Sequence, residues 1–251
     1  MDELDQFQNF DSLPSTNQYC MELLSKSNPI PFTAISADFQ TQGVGQFGST
    51  WISDQGQNVM MSIIVYPDFI NVSESFKLQF LASLACVEVL TPFIDGNRVS
   101  VKWPNDVLVD QKKIAGVLIR NIFMGSVIRS SVIGFGLNVN QTDYPGLNSM
   151  VTSMKAITGQ EHPVPEIRRL LYEKFISLYK LLEKGSSLKE LYMMMLYGYE
   201  DPFSFYDMKD QSYKKGIILD VMGSGHLVVD IGGVVEKYDF KEIKFMMNEN
   251  E

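Results

Sequence analysis

The segment that most constrains the fold is residues 98–123, RVSVKWPNDVLVDQKKIAGVLIRNIF. A short apolar strand at residues 99–102 is interrupted by Pro104 and Asn105, because proline has no backbone N–H to donate to a sheet. Two further apolar runs, residues 107–109 and 114–119, flank the polar turn at residues 110–113, a pattern typical of a β-hairpin. The chain is therefore expected to build an antiparallel sheet around this segment.

The rest of the first 200 residues mixes strands with helices. Further strands are predicted at residues 32–39, 58–66 and 126–140. Helices are predicted at residues 15–26, with Ser15 as N-cap, and at 73–91, 150–157, 165–183 and 188–197. The second of these has apolar residues at helical spacing and is expected to be amphipathic. The mixture predicts an α+β domain with a central mixed β-sheet and flanking helices.

The pattern changes after residue 198. From Asp201 onward, short apolar strands recur about every ten residues and are separated by GSG and GG turns, which is typical of a small antiparallel β-barrel. We therefore expect a main domain at residues 1–198 and a small β-barrel domain at residues 199–251. A segment of that size suits an appended module.

Composition excludes several classes of function. The net charge of −9 argues against a general nucleic-acid binder, because phosphate neutralisation needs clustered lysine and arginine. No apolar run is long enough to span a membrane, and the acidic start MDELDQFQNF is not a secretory signal. The two cysteines, Cys20 and Cys86, lack metal-ligand spacing, and the apolar helical pattern around Cys86 predicts a buried thiol there. A reducing cytoplasm is the expected location.

Two polar motifs lie between the chain start and the second of the predicted strands. In PSTNQY, Ser15, Thr16 and Asn17 either cap a helix or bind a small polar ligand at its free N–H groups. In QTQGVGQFGSTW, residues 40–51, three glycines allow a ligand to approach the backbone closely, but a flexible hairpin loop explains them equally well. The loop is not a phosphate-binding P-loop, because it lacks that motif's lysine. It is not a dinucleotide-binding fingerprint either, because a strand follows it instead of a helix.

Two further motifs follow in the sheet segments. In KWPND…KKIAG, Trp103 offers a flat apolar wall. Lys112 and Lys113 point to opposite faces of a strand, so one can enter a site while the other stays solvated. A solvated lysine pair at a turn is the simpler explanation of that feature alone. In IGFGLNVN, Gly134 and Gly136 indicate either a close approach by a ligand or strand, or a β-bulge.

Taken together and in this order, the motifs resemble those of the biotin–protein ligases. The family pattern is a Ser-Thr-Asn helix start, a Gln followed by a GRGR-type loop ending in Trp, then K-W-P-N-D, a K-[LI]-A-G hairpin and G-x-G-x-N. In this chain the corresponding segments read STN, QTQGVGQFGSTW, KWPND, KIAG and GFGLN. The resemblance spans residues 15 to about 140. Residues 201–245 match the family's SH3-like C-terminal module in size and pattern only.

The resemblance implies a class II synthetase-like catalytic domain and a ligase activity of the biotin–[acetyl-CoA-carboxylase] ligase type. Such an enzyme uses biotin, ATP and Mg²⁺ to make biotinyl-5′-AMP and then transfers biotin to a lysine of a biotin carboxyl carrier protein. We expect the short form without a DNA-binding domain, because the first predicted helix begins near Ser15, and therefore no DNA partner. The oligomeric state stays open, since many relatives form homodimers through an extended sheet.

The resemblance also assigns roles to individual residues. Lys113 and Asp106 are the implied catalytic residues, and Asp106 is the implied Mg²⁺ contact. The residues implied for biotin are Ser15, Thr16, Asn17, Gln40, Gly43, Val44, Gly45, Gln46, Lys113 and Gly116. Those implied for the nucleotide are Trp51, Lys102, Asn105, Asp106 and Asn138.

The loop departs from the family pattern at two positions. Val44 and Gln46 stand where the family has its first two loop arginines. Loss of one charge-assisted hydrogen bond costs roughly 1.5–3 kcal/mol, which predicts weaker retention of the adenylate. A non-catalytic or leaky biotin-binding homologue is therefore an alternative. A lipoyl or octanoyl transferase, related in fold, is another, although K-W-P-N-D does not support it.

Overall fold

The computed structural model describes residues 6–147 and 150–247. The first seven strands are β1 Phe7–Phe10, β2 Ala34–Ala37, β3 Asn58–Val65, β4 Val99–Lys102, β5 Asp106–Val109, β6 Lys112–Met124 and β7 Val127–Asn138. They form one sheet in the order β1-β2-β3-β7-β6-β5-β4. β1 and β2 run parallel, and the other neighbours run antiparallel. The predicted central mixed sheet is confirmed.

Within the described residues, five α-helices accompany this sheet, and all five were predicted. They are α1 Thr16–Lys26, α2 Lys77–Leu90, α3 Met154–Thr158, α4 Val164–Glu183 and α5 Lys189–Met194. The side chain of Ser15 caps α1 by accepting a hydrogen bond from the backbone N–H of Gln18. Pro165 lies in the first turn of α4, where its missing N–H costs no helical hydrogen bond.

The prediction that α2 is amphipathic is wrong. Within this helix only Lys77 and Glu88 escape full burial. One side of α2 packs against α4, and another packs against β4, β5 and β6. A helix with protein on several sides needs apolar residues all round, which is the composition found here.

The sheet is covered on both faces. On one face, Cys20 of α1 packs with Ile35, Ile64 and Val132. On the other face, alternate residues of β3 such as Ile63 join the main core with α2 and α4. Successive residues of a strand point to opposite faces, so the even-numbered positions of β3 lie on the α1 side. That side contains the candidate site.

A second sheet follows at residues 202–245. Its strands are β8 Pro202–Asp207, β9 Ser212–Val221, β10 Leu227–Ile231, β11 Val234–Tyr238 and β12 Ile243–Phe245. They are antiparallel, in the order β11-β10-β9-β8-β12. An antiparallel sheet was expected here, and its likeness to an SH3-like barrel stays a prediction. Within the two described ranges, no helix combines the length and apolar character that crossing a membrane requires.

The two sheets are joined by specific contacts. The indole Nε1 of Trp103 donates a hydrogen bond to the carbonyl of Gly225 at 2.9 Å. The backbone N–H of Phe76 donates to the carbonyl of Gly223 at 3.0 Å. The ring of Tyr197 lies 6.3 Å from that of Phe245, centroid to centroid. These contacts fix the C-terminal sheet against the β4–β5 end of the central sheet and the start of α2.

Candidate ligand-binding site

A cavity of about 270 Å³ opens on the face of the central sheet that α1 partly covers. Its floor includes four successive cross-strand partners on neighbouring strands: Met60, Gly136, Gly116 and Asp106. Directly paired residues present their side chains on the same face of a sheet. Because the two central members are glycines, the middle of this row is bare backbone and leaves room for a ligand.

The start of α1 forms one wall. Thr16 Oγ1 lies 2.9 Å from Ser62 Oγ, which ties the first turn of the helix to the floor. The backbone N–H of Thr16 donates to Gln40 Oε1 at 2.8 Å. Asn17 Nδ2 donates to the carbonyl of Leu118 at 3.3 Å. The helix start is therefore held in place by hydrogen bonds to three separate segments.

The glycine loop forms the opposite wall. Val44 and Thr50 pair as an isolated antiparallel bridge, and the backbone N–H of Trp51 donates to the carbonyl of Gly43 at 3.0 Å. The Trp51 indole lies against the backbone of Gly136, where an added Cβ would be only 2.5 Å from the ring. The glycine is required for this close approach.

The flat apolar wall of the cavity is thus Trp51, and the prediction that Trp103 supplies it is wrong. Trp103 is 2% exposed and lies in the junction with the C-terminal sheet, beside Phe240 at a centroid distance of 5.3 Å. Each tryptophan lies within a motif that pointed to the site. Only the packing shows which of them faces the cavity.

Lys113 and Asp106 are the only charged side chains that line the cavity among the residues described. Lys113 Nζ lies 2.6 Å from Asp106 Oδ1 and 5.6 Å from the centroid of the Trp51 ring. Lys112 is exposed, so the two lysines do point to opposite faces as predicted. An entering anion can draw the mobile lysine cation away from Asp106, which makes this pair suited to a carboxylate or phosphate.

Apart from Asp106 Oδ1, which is ion-paired with Lys113, three polar atoms of the lining residues are buried and make no hydrogen bond to the described part of the chain. They are Asn17 Oδ1, Gln46 Oε1 and Trp51 Nε1. A buried polar atom without a partner costs about 1–3 kcal/mol, so such atoms rarely cluster without a reason. The two oxygen atoms can accept hydrogen bonds, and the indole N–H can donate one, to complementary polar groups of a ligand.

Most of the predicted site residues come together here. Those that line the cavity are Ser15, Thr16, Asn17, Gln40, Val44, Gly45, Gln46, Trp51, Asn105, Asp106, Lys113 and Gly116. Three others lie outside this lining, namely Gly43, Lys102 and Asn138. Contact with a ligand by any of these residues stays a prediction.

Each of the three outlying residues has an evident place in the structure. Gly43 closes the base of the loop by accepting from Trp51. Lys102 is the cross-strand partner of Asp106, one strand beyond the floor, and burial lowers the pKa of its ammonium group. Asn138 is buried two residues beyond Gly136 on β7 and donates through Nδ2 to the carbonyl of Thr152 at 3.0 Å.

Several lining residues were missed or given no role by the sequence. They are Phe47, Ser49, Thr50, Met60, Ser62, Pro104, Val117, Leu118, Gly134, Phe135 and Gly136. Ser62 lies within the apolar run NVMMSIIV, and this lone hydroxyl is the signal that could have marked the strand as facing a site. Gly134 and Gly136 had been singled out by their motif without an assigned contact.

The described lining of the cavity does not contain a complete set of metal-ligating side chains. No group of three or more His, Cys, Asp or Glu side chains with metal-binding geometry occurs within residues 6–147 and 150–247. Mg²⁺ is commonly bound by one or two carboxylates together with substrate phosphates and water. Asp106 could supply one such carboxylate ligand.

The sequence of the chain is similar to a known protein family and to several of its curated members. Residues 9–138, just over half of the chain, match the biotin/lipoate A/B protein ligase family. The bifunctional ligase/repressor BirA of Bacillus subtilis is 36% identical over 154 residues, which are 60% of this chain and 46% of that protein. The biotin–[acetyl-CoA-carboxylase] ligase of Mycobacterium tuberculosis is 30% identical over 131 residues, 51% of this chain and 47% of that protein. The chain spans about half the length of these curated relatives.

Among solved structures, biotin protein ligase from Aquifex aeolicus in complex with biotin and ATP has a similar fold. The TM-score is 0.75 at 22% sequence identity, and the match covers 96% of this chain and 98% of that one. The likeness therefore extends through the C-terminal sheet, beyond the region matched by the family.

Proposed function

The chain belongs to the biotin/lipoate A/B protein ligase family, and from this premise we propose that it is an ATP-dependent biotin–protein ligase. The biotin carboxylate would attack the α-phosphorus of ATP, pyrophosphate would leave, and biotinyl-5′-AMP would remain in the cavity. The neutral amine of a carrier-protein lysine would then attack the acyl carbon and release AMP. Relatives named as biotin ligases, and the Aquifex aeolicus structure with biotin and ATP, support this choice of substrates.

The observation that carries the proposal is the position of Lys113. Its ammonium group lies within a cavity whose other charged lining residue, among those described, is its ion-pair partner Asp106. Both reactants of the first step are anions, so their approach requires a cation placed where negative charge develops. Lys113 would pair with the biotin carboxylate and the α-phosphate while Asp106 keeps the ammonium group oriented between turnovers.

The walls would provide recognition and shielding. The unpaired atoms of Asn17, Gln46 and Trp51 offer partners to the polar groups of the bound molecules. The Trp51 ring, backed by Gly136, gives a flat apolar surface against which a planar base can stack. Enclosure of the mixed anhydride between the loop and the floor would protect it from water.

Further parts of the proposal follow the family. The acceptor would be a biotin carboxyl carrier protein or domain in the cytoplasm, and Mg²⁺ would enter with ATP and contact Asp106. Residues 1–198 would form the catalytic domain and residues 199–251 an SH3-like module, although residues 1–5, 148–149 and 248–251 lie outside the described ranges. Homodimerisation through an extended sheet is also part of the proposal.

The test is ATP-dependent labelling of a purified biotin-acceptor domain, followed by intact mass spectrometry. Wild-type protein is incubated with biotin, ATP and Mg²⁺, and in a parallel reaction with octanoate in place of biotin. Lys113→Ala should reduce biotin labelling by at least a hundredfold. Lys112→Ala, which removes the exposed neighbour, should leave it unchanged.

The outcomes separate the alternatives. Biotin labelling that requires ATP and Lys113 supports the ligase. Biotin binding without adenylate or labelled acceptor would show a non-catalytic homologue, and octanoylation would show the related transferase. Equal activity of the two lysine variants would overturn the role given to Lys113.

A further inference from the structure

The tip of the glycine loop contains a residue in an unusual conformation. Phe47 has φ 57° and ψ 27°, which is the left-handed region. For a bulky side chain this is a true outlier, because Cβ crowds the backbone there. Phe47 is also 54% exposed although it lines the cavity. A strained and exposed phenylalanine persists only where its surroundings favour it over the relaxed alternatives.

The surroundings in this case belong to the C-terminal sheet. The Nζ atom of Lys241 lies 4.4 Å from the centroid of the Phe47 ring, within the range of a cation–π interaction. The ring of Phe240 lies 6.0 Å from that of Phe47, centroid to centroid, at the spacing of an aromatic pair. Both partners lie in the turn between β11 and β12. The loop tip therefore meets the other sheet through its only aromatic residue before Trp51.

The turn that presents these partners is itself well anchored. Phe240 packs against Trp103 at 5.3 Å and against Phe76 at 6.1 Å, centroid to centroid. The side chain of Glu242 accepts from the backbone N–H of Asp239 at 2.7 Å and pairs with Lys209 at 2.9 Å. An anchored turn can hold the tip of the glycine loop in place.

We propose that Phe47 is a positioning residue, and that Phe47, Phe240 and Lys241 form a latch by which the C-terminal sheet holds the glycine loop closed over the ligand. The loop contains no lysine or arginine between residues 40 and 51, so it has no cation of its own with which to grip a phosphate. The latch supplies closure from outside the loop instead. The identity of the retained ligand, biotinyl-5′-AMP, rests on the proposed function, whereas the latch itself does not.

The latch is tested first without any ligand, by hydrogen exchange on the full chain. The amides of Gly45, Ser49 and Trp51 make the loop's internal hydrogen bonds and should report its opening. Phe47→Ala should speed their exchange by about tenfold, equivalent to about 1.4 kcal/mol. Phe47→Tyr, which keeps the ring, should restore protection, and exchange in the cores of both sheets should not change.

Matched controls come from the same chain. Phe123→Ala removes a phenylalanine of similar exposure, 52%, from the far end of β6. Lys244→Ala removes an exposed lysine three residues beyond Lys241. Neither change should alter exchange in the loop. Equal loop exchange in Phe47→Ala and Phe123→Ala would overturn the latch.

A double-mutant cycle then tests whether the lysine acts through the ring. Lys241→Ala alone should speed hydrogen exchange in the loop about threefold. In the Phe47→Ala variant, the same substitution should cause no further increase in the exchange rate. Additive effects would show that Lys241 does not act on Phe47 and would overturn that part of the latch. The same variants should release biotinyl-5′-AMP correspondingly faster. If no variant, including wild type, makes the adenylate while the exchange results hold, the proposed function fails and the latch stands.

Discussion

Replacement of Gly136 by alanine tests the placement of Trp51 directly. A Cβ atom at this position would lie 2.5 Å from Cε2, 2.6 Å from Cζ2 and 2.9 Å from Cδ2 of the indole. Carbon atoms make favourable contact at about 3.5–4.0 Å, so the ring must move by about 1 Å or the floor strand must shift. The methyl group cannot be absorbed by a flexible chain end, because all three atoms belong to a rigid ring.

Two responses are possible, and both are measurable. If the indole stays, overpacking should lower the free energy of unfolding by about 1–3 kcal/mol. If the indole swings away, the cavity loses its flat wall and the stability changes little. In this second case we expect ATP affinity to fall about tenfold or more, since stacking of a base on an aromatic side chain is worth about 1–3 kcal/mol. Calorimetric titration with ATP and urea unfolding measure the two quantities.

The control is Gly96→Ala, where the nearest atom to the new methyl group is Thr91 Cγ2 at 3.8 Å. It should leave nucleotide affinity unchanged. In a Trp51→Ala background, Gly136→Ala should cost no further stability or affinity, because the clashing ring is gone. If Gly136→Ala changes neither stability nor ATP affinity, or if its cost is equal with and without the indole, the stacked arrangement of Trp51 on the floor is refuted.

Two further predictions concern the loop charge and the C-terminal sheet. Val44→Arg should slow the release of free biotinyl-5′-AMP roughly tenfold, the worth of one added charge-assisted hydrogen bond, and equal release from both proteins in a filter assay would contradict the idea. Burial alone would raise the pKa of Asp207, but hydrogen bonds from Lys214 and Tyr238 outweigh it and hold this pKa at about 2, below its ordinary 3.8. Since the folded-state pKa is the lower one, the charged carboxylate stabilises the fold above about pH 4, and about 2 kcal/mol is lost as pH falls towards 2. In Asp207→Asn, the free energy of unfolding measured with urea should therefore fall less between about pH 4 and pH 2 than in the wild type. An equal fall in both proteins would contradict this role of Asp207.

The sequence predicted the site well where a motif combined unusual residues at fixed spacing. K-W-P-N-D followed by K-I-A-G identified Asp106 and Lys113, and both line the cavity as an ion pair. The opposite orientation of Lys112 followed from strand geometry alone and is confirmed. The first success depends on the family resemblance. The second depends on a local rule, because neighbours in a strand have a fixed relation to one another.

The sequence failed where the answer depended on neighbours distant along the chain. Strand β1 was missed because it is a four-residue edge strand whose middle residues are exposed, so it has no apolar pattern. Helix α2 was expected to have a polar side, but a second layer of helices and the sheet cover it. Trp103 was expected to form a wall of the site but is buried in the junction with the C-terminal sheet, for the same reason.

The sequence by itself determined the order and type of nearly all the elements, the two-part organisation and the residues from which a ligand site could be built. Apolar periodicity, glycines and prolines act within a few residues, and they can be recognised without the fold. Only the tertiary structure decided which of those residues meet. Strand register places Met60, Gly136, Gly116 and Asp106 in one row, and docking of the C-terminal sheet brings Lys241 to Phe47. Strand register and the docking of the two sheets depend on how whole faces of the elements pack together. They therefore cannot be predicted from any short segment of the sequence.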